Sequence, residues 1–432
     1  MYEKRIINGN VYIDFTWKKF HIYINNEKIA LLDERLYPAK EEINAKGLKI
    51  LPGLIDPHVH FALNLGHIVA CDDFLNGSTQ AAYGGVTTFI DFLEPVDTVE
   101  GLEKAFYARL EEAKDSKVDY AFHACIKNPI CDLEAFILKM KSLGLTTLKL
   151  FTTYSDSNRR TYDEDIIKLL ALSQKHNILI LAHIENDDVI RLSDDFTHKD
   201  LPESRPSISE TIEALKLAEY TKQTNGNLYM VHLSSGKTLE ALKMAYPKLL
   251  NKHFYIESCP QYFTFTKEKL LGKEGELFTF APPLRTQEEQ DLLFKYKNLI
   301  YSIGTDHCAF MKKDKTRSKL KDIPLGIGGI EHSFHVMHHH LGDDCITKMS
   351  LNPSIVHHLK GKGEIALGKD ADLFFYKPKI GKISEHHSTC DYSVYTGRAK
   401  EGQIVHTMVR GNFVLKNNEI QPHTGKFIKR SV

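Results

Sequence analysis

A chain of 432 residues has room for one large α/β barrel, a unit of about 250 residues, and a smaller companion domain. Lys plus Arg and Asp plus Glu each number 56, so there is no net charge to hold a phosphate backbone or an anionic bilayer, and neither nucleic acid nor membrane is an expected partner. With 42% hydrophobic and 26% charged residues the chain has the balance of one that buries a core, which argues against disorder.

The amino terminus, Met1-Tyr2-Glu3-Lys4-Arg5, runs straight into strand-like sequence without an apolar leader, and no stretch approaches the roughly 18 apolar residues that span a bilayer. A soluble, cytoplasmic protein is the expectation. Seven cysteines form no Cys-x-x-Cys pair, which fits reduced thiols better than a disulfide framework or a cysteine zinc site.

Residues 3–52 alternate short β-branched or aromatic runs with Asn-containing turns, predicting strands over 5–12, 20–25, 28–32 and 43–50. Short apolar strands then alternate with helical periodicity, the pattern of repeated βα units. The eight candidate strands span 54–59, 86–92, 119–125, 147–151, 178–183, 228–232, 254–258 and 299–304. A helix over 99–113 follows from apolar Val99, Leu102, Phe106 and Leu110, and Ser207 with Glu210 reads as a capping box ahead of Ile212 and Leu215. The basic run 312–321 reads as a solvated loop, and His338-His339-His340, His357-His358 and His386-His387 as solvated or helix-end residues. Strand-like sequence returns at 371–376, 404–410 and 412–416.

The expected fold is therefore α/β: a (β/α)8 TIM-type barrel over 53–361, with a small β-sandwich domain formed by both chain ends, 1–52 and 362–432. Active sites of such barrels are built at the carboxyl ends of the strands. There the first strand carries His58-Val59-His60, whose period of two points both imidazoles to one side, as two ligands of one metal require. The fifth strand ends in His183, the sixth in His232, and the eighth in Gly304-Thr305-Asp306-His307.

The fourth strand carries Lys149 among Thr147, Leu148, Leu150 and Phe151, where an isolated ammonium is costly unless paired or chemically altered. Carboxylation by carbon dioxide converts such a lysine into an anionic bidentate metal ligand. Four neutral imidazoles and one aspartate alone neutralise two divalent ions poorly. Each residue also has an ordinary reading: a strand-end histidine as a satisfied polar group, a buried lysine as a carboxylate's partner, Asp306 as a helix cap. Their joint occurrence at the ends of five strands of one barrel points to a metal centre.

The stretches that carry a wider likeness are Pro52-Gly53-Leu54-Ile55-Asp56-Pro57-His58-Val59-His60, Asp72-Asp73-Phe74, Ala81-Ala82-Tyr83-Gly84-Gly85-Val86-Thr87-Thr88, Lys149-Leu150-Phe151 with Tyr154, and His183-Ile184-Glu185-Asn186. Ser204-Arg205-Pro206, Val231-His232-Leu233-Ser234, Cys259-Pro260-Gln261-Tyr262, Pro282-Pro283-Leu284-Arg285 and Gly304-Thr305-Asp306-His307-Cys308 follow in order, then Gly368-Lys369-Asp370-Ala371-Asp372-Leu373. With these the chain resembles the metal-dependent amidohydrolases, in particular the hydantoinase and dihydropyrimidinase branch, along nearly its whole length.

The resemblance implies a binuclear zinc hydrolase that opens the cyclic amide bond of a hydantoin or dihydropyrimidine to an N-carbamoyl amino acid. It implies two Zn²⁺ bridged by carboxylated Lys149 and a hydroxide, with His58, His60 and Asp306 on one ion and His183 and His232 on the other. Asp306 is then the proton carrier, Tyr154 polarises the substrate carbonyl, and backbone groups near Ala281 and Leu325 contact the ring. A small-molecule cyclic amide is the implied partner, and a homotetramer or homodimer the implied assembly.

Departures bear on the substrate. After the second histidine, Phe61-Ala62-Leu63 has no arginine to grip a substrate carboxylate, and 61–69 offers an apolar pocket loop with His67 its only ionisable side chain. Ala281 stands where hydantoinases commonly have Ser, Leu325 where they have Asn, and Gly329-Ile330-Glu331-His332-Ser333 lacks an arginine common after Gly-Ile-Glu. The alternatives are an allantoinase or dihydroorotase-like cyclic amide hydrolase, or a non-catalytic structural relative of dihydropyrimidinase. The complete ligand set argues against the last.

Overall fold

In the computed structural model, which describes residues 1–432, eight parallel strands stand side by side in sequence order. They are Leu54–Val59, Val86–Phe92, Asp119–Cys125, Thr147–Phe151, Leu179–His183, Leu228–Leu233, Phe254–Ser258 and Ser302–Ile303. Nearly every residue in them is buried, as a sheet lined by side chains within and helices without requires. The helix Val99–Glu112 shows how the outer layer attaches: Thr98 caps it by accepting from the Gly101 N–H, and Leu102 and Phe106 turn inward.

Seven strands lie within one residue of the sequence expectation, and the eighth is cut from 299–304 to Ser302–Ile303. Lys297–Leu299 instead winds into a 3₁₀ turn whose Ile300 N–H donates to Lys297 O. No continuous ladder joins the first and eighth strands. An isolated Val59–His307 bridge and the His60 N–H donated to His307 O at 2.8 Å close the ring there.

Two further sheets form from the chain ends. The run expected as one strand over 5–12 breaks at Asn8, in the left-handed region at φ 63°, into Tyr2–Ile7 and Asn10–Ile13. The run over 43–50 breaks at Gly47, φ 81°, into Ala39–Asn44 and Lys49–Pro52. Each break passes the chain from a four-stranded sheet to a seven-stranded one. The larger sheet mixes both ends of the chain, Leu373–Lys382 running antiparallel to Lys49–Pro52. Ile6, Ile22 and Ile24 of one sheet pack on Val11, Ile50, Phe375 and Met408 of the other, a sandwich core.

These sheets meet the barrel at a buried charge cluster. Lys362 Nζ donates to Asp119 Oδ2 (2.6 Å) and Asp372 Oδ2 (2.8 Å) and lies 3.0 Å from Asp370, while Arg410 also pairs with Asp119. The three carboxylates lie close enough to suggest a cation site, and the Lys362 ammonium occupies their centre. The chain end seals the amino face of the barrel: Phe427 packs on Phe106, Tyr120 and Phe122, and buried Arg430 donates to His357 O, Phe122 O and Thr147 Oγ1.

Several expectations need correction. Helix Ser207–Thr224 has Pro206 at its cap with no side-chain capping bond; the Glu210 carboxylate instead accepts from Ser234 N–H (3.0 Å), Ser234 Oγ (2.5 Å) and Ser235 N–H (3.0 Å). The donors at the end of the sixth strand outcompete the first helical turn. The run 312–321 is not wholly solvated, because Lys315 is completely buried. His338–His340 and His357 do stand at helix ends, but His357 is buried with neither ring nitrogen hydrogen-bonded, and His387 stacks on Tyr83 and pairs with Glu331 at 2.8 Å. No helix is long and apolar enough to cross a membrane.

Candidate metal centre

The seam between the first and eighth strands brings three expected ligands together. His58 Nε2 and His60 Nε2 lie 3.1 and 3.2 Å from Asp306 Oδ1, and 3.2 Å from each other. A tetrahedral cation with ligand bonds of about 2.1 Å separates its donors by about 3.4 Å, close to this spacing. Two imidazole nitrogens converging on one carboxylate oxygen are thus a donor set that fits a divalent ion such as zinc.

Glu257, buried on the seventh strand, sets the other side of His58. Its carboxylate takes His58 Nδ1 at 2.7 Å, the Tyr229 hydroxyl at 2.7 Å and the His232 N–H at 3.1 Å. With Nδ1–H donating there, Nε2 is the nitrogen turned toward the centre. Burial pushes His58 down, but the Glu257 and Asp306 carboxylates outweigh it and hold the imidazole up at about 9. Burial pushes Asp306 up, and His58 and His60 reverse this, keeping it well below the usual carboxylate range. The Asp306 side chain keeps 16% exposure, so it faces an open space.

His183 and His232 stand beside this trio, their rings 4.6 Å apart and His232 5.4 Å from His58. His183 Nε2 lies 2.6 Å from Glu185 Oε2, which leaves Nδ1 without a protein partner. Arg205 in turn holds Glu185 through Nε, 3.1 Å from each carboxylate oxygen, and through a terminal nitrogen at 2.6 Å. His232 makes no side-chain hydrogen bond and has Nδ1 buried without a partner.

Lys149, only 2% exposed, lies between the rings of Phe92 and Phe151 at 4.9 and 5.1 Å and makes no hydrogen bond or ion pair. Burial lowers its pKa toward the neutral amine, the form that adds carbon dioxide. A buried lysine without a carboxylate partner removes the ordinary structural explanation for its presence.

Tyr154 follows the fourth strand. Its N–H donates to Asp187 Oδ1 at 2.8 Å, its ring lies 5.1 Å from that of His183, and its hydroxyl bonds to no protein group. Burial pushes the phenol up to about 12, so it remains a donor at neutral pH. Tyr154, His232 and Asp306 all hold left-handed backbone conformations, with φ of 70°, 40° and 53°. Non-glycine residues there cost about 1–3 kcal/mol each and collect at functional sites.

Ala281 and Leu325 sit on two neighbouring loops and hydrogen-bond to none of the candidate ligands; the Gly326 N–H donates to Thr279 O at 3.1 Å between the loops. The expectation for Phe61 fails: its ring turns into the core against Phe74 and Phe89, and its backbone is held by Asp91 and Arg109. Leu63, Leu65 and Ile68 of the same loop pack around Ala70, Cys308 and Phe310.

The sequence alone gives no role to Glu185, Arg205 or Glu257. Glu185 sits two residues after His183, on the same side of the chain, and Glu257 is an acid in an apolar barrel strand, the signal that singled out Lys149. His307 is a further addition: Asp72 takes its Nε2 at 2.9 Å while its Nδ1 receives the Gly329 N–H, locking the residue beside Asp306.

The amidohydrolase family model matches residues 50–414. A D-hydantoinase of Geobacillus stearothermophilus is 30% identical over 99% of this chain and 96% of its own length, and one of Ralstonia pickettii is 29% identical over 98% of each. A solved dihydropyrimidinase from Brevibacillus agri NCHU1002 superposes with a TM-score of 0.92 at 27% identity, covering 99% of this chain and 98% of that one. A D-hydantoinase (dihydropyrimidinase) from Thermus sp. gives the same TM-score and identity over 99% of both chains.

Proposed function

We propose a substrate and a chemistry for this chain from the premise that it belongs to the amidohydrolase family and, within it, to the hydantoinase branch of cyclic amidohydrolases. The reaction is hydrolysis of the ring amide of a hydantoin or dihydropyrimidine, giving an N-carbamoyl amino acid. The relatives named as hydantoinases and dihydropyrimidinases over essentially full length support this reading. Its single strongest support within the chain is the convergence of His58, His60 and Asp306 beside an unpaired, buried Lys149.

In this reading His58, His60 and Asp306 would hold one divalent ion, zinc by its N/O ligand set, His183 and His232 would hold a second, and Lys149, as a carbamate, would add the anionic ligand that the histidines lack. When bound, the ions supply an activated water and polarise the amide carbonyl. Asp306, kept ionised by His58 and His60, accepts the proton of the attacking water and delivers it to the leaving ring nitrogen. The free Tyr154 hydroxyl donates to the oxygen on which charge develops, a contact worth about 3 kcal/mol in sites of this kind. Glu257 and Glu185 keep His58 and His183 in their ligating tautomers. Backbone groups at Ala281 and Leu325 orient the ring, since neither side chain carries a hydrogen-bonding atom.

A turnover panel of hydantoin, dihydrouracil, allantoin and dihydroorotate with zinc-loaded protein, alongside metal analysis, tests this. The expected result is two metal equivalents per chain and ring opening of hydantoin or dihydrouracil. Metal-loaded protein that opens no ring, or that prefers allantoin, overturns it.

A further inference from the structure

Lys315 differs from the lysines around it. Lys312 and Lys321 reach surface carboxylates, Glu274 and Asp194, whereas Lys315 is 0% exposed and pairs with no carboxylate. Its ammonium donates to Thr279 O at 2.6 Å, Pro324 O at 2.8 Å and Gly326 O at 2.9 Å. An ammonium has three N–H donors, and all three are used on backbone carbonyls. Burial without a counter-ion is costly, and it pushes this lysine down to about 7. A group retained at that cost, bonded only to backbone, holds something in place.

What it holds are two loops. Thr279 lies two residues before Ala281, and Pro324 and Gly326 flank Leu325. Alanine and leucine at these two positions have no polar side-chain atom, so any hydrogen bond from them to a substrate comes from main-chain groups. The placement of those groups is set by the loop backbones, which Lys315 ties together beside the single direct Gly326 N–H to Thr279 O bond.

We propose that Lys315 is a positioning residue for ring recognition, its side chain clamping the Thr279–Ala281 and Pro324–Gly326 backbones at the spacing that binds a cyclic amide. This rests on the reading of the chain as a cyclic amide hydrolase. The bonded loops make the lysine a determinant of substrate affinity; it touches neither the reacting atoms nor any metal ligand.

The experiment compares zinc-loaded wild type with Lys315→Met, which keeps the stem and removes the donors. KM for hydantoin or dihydrouracil should rise at least about tenfold with kcat within about threefold and metal content unchanged. Hydrogen exchange of amides in 279–281 and 324–327 should accelerate at least about tenfold, with the barrel strands unaffected. Lys315→Arg, which keeps a cation with donors in another geometry, should show a smaller KM rise of about threefold, and it carries the same comparison if the Met variant does not fold. Unchanged exchange in the two segments, or a kcat loss at unchanged KM, overturns the clamp. Wild-type protein that opens no ring of the panel overturns the proposed function instead, and the exchange measurement still decides the clamp.

Discussion

The guanidinium of Arg205 lies 5.0 Å from the centroid of the Tyr154 ring. The same side chain holds Glu185, and through it His183, so one cation sets the position of the phenol proposed to polarise the carbonyl and of a candidate ligand together. Planar stacking and a two-pronged grip are both guanidinium properties that an ammonium lacks.

Arg205→Lys, though it preserves charge, should therefore lower kcat/KM by about 10–100-fold, the range seen when a ligand's outer partner is lost. Glu185→Gln should weaken metal retention while leaving the stacking on Tyr154 intact. Steady-state kinetics with zinc analysis of both variants checks this; an Arg205→Lys enzyme of normal rate and metal content would remove the link.

Lys149 should be carboxylated. Lys149→Ala should lose metal and turnover together, and protein reconstituted in ¹³C-bicarbonate should show a carbamate carbon resonance that the variant lacks. Retention of two zinc equivalents and near-normal turnover by Lys149→Ala would leave the bridging role empty.

Asp306→Asn should keep much of the metal, because the four histidines and Lys149 remain, and lose about 10²–10⁴-fold in kcat, the usual value of a positioned proton carrier. A rate within a few-fold of wild type would move proton transfer to another group.

Neutral rings should be preferred. Arg285 is tied to Ser234 Oγ and Arg205 O, and Lys315 to three carbonyls, so neither is free to meet a substrate carboxylate. Burying that carboxylate unpaired costs several kcal/mol. Hydantoin or dihydrouracil should exceed dihydroorotate by at least about 100-fold in kcat/KM, about 2.7 kcal/mol of discrimination. Parity between them would point to Arg159, which lies on the Tyr154 loop and makes no ion pair.

The barrel was legible because strand burial writes itself as apolar runs, and seven strands could be bounded to a residue from those runs alone. The convergence of His58 and His60 was likewise readable from a spacing of two. Local patterning failed where tertiary partners decided the outcome. Glu210 reads as a helix cap until the donors of Ser234 and Ser235 arrive from 24 and 25 residues away, and Lys315 reads as one more surface lysine until the carbonyl of Thr279, 36 residues back, joins those of Pro324 and Gly326 around it. Phe61 has the composition of a pocket wall, and only the rings of Phe74 and Phe89 reveal that it faces the other way.

The joint between the first and eighth strands is the least bonded of the ring, one bridge where its neighbours have ladders. His58 and His60 stand on one lip of that joint and Asp306 on the other, 246 residues further along the chain. An ion gripped by all three is thus a rivet through the barrel's own split. The three donors come together only once the last strand has docked, so capture of a cation by the full set would be a late event in the life of a newly made chain. Amides on both lips, Val59 to Phe61 and Thr305 to His307, should accordingly exchange more slowly when zinc is added to metal-free protein, and equal exchange with and without zinc would show that the split needs no fastener.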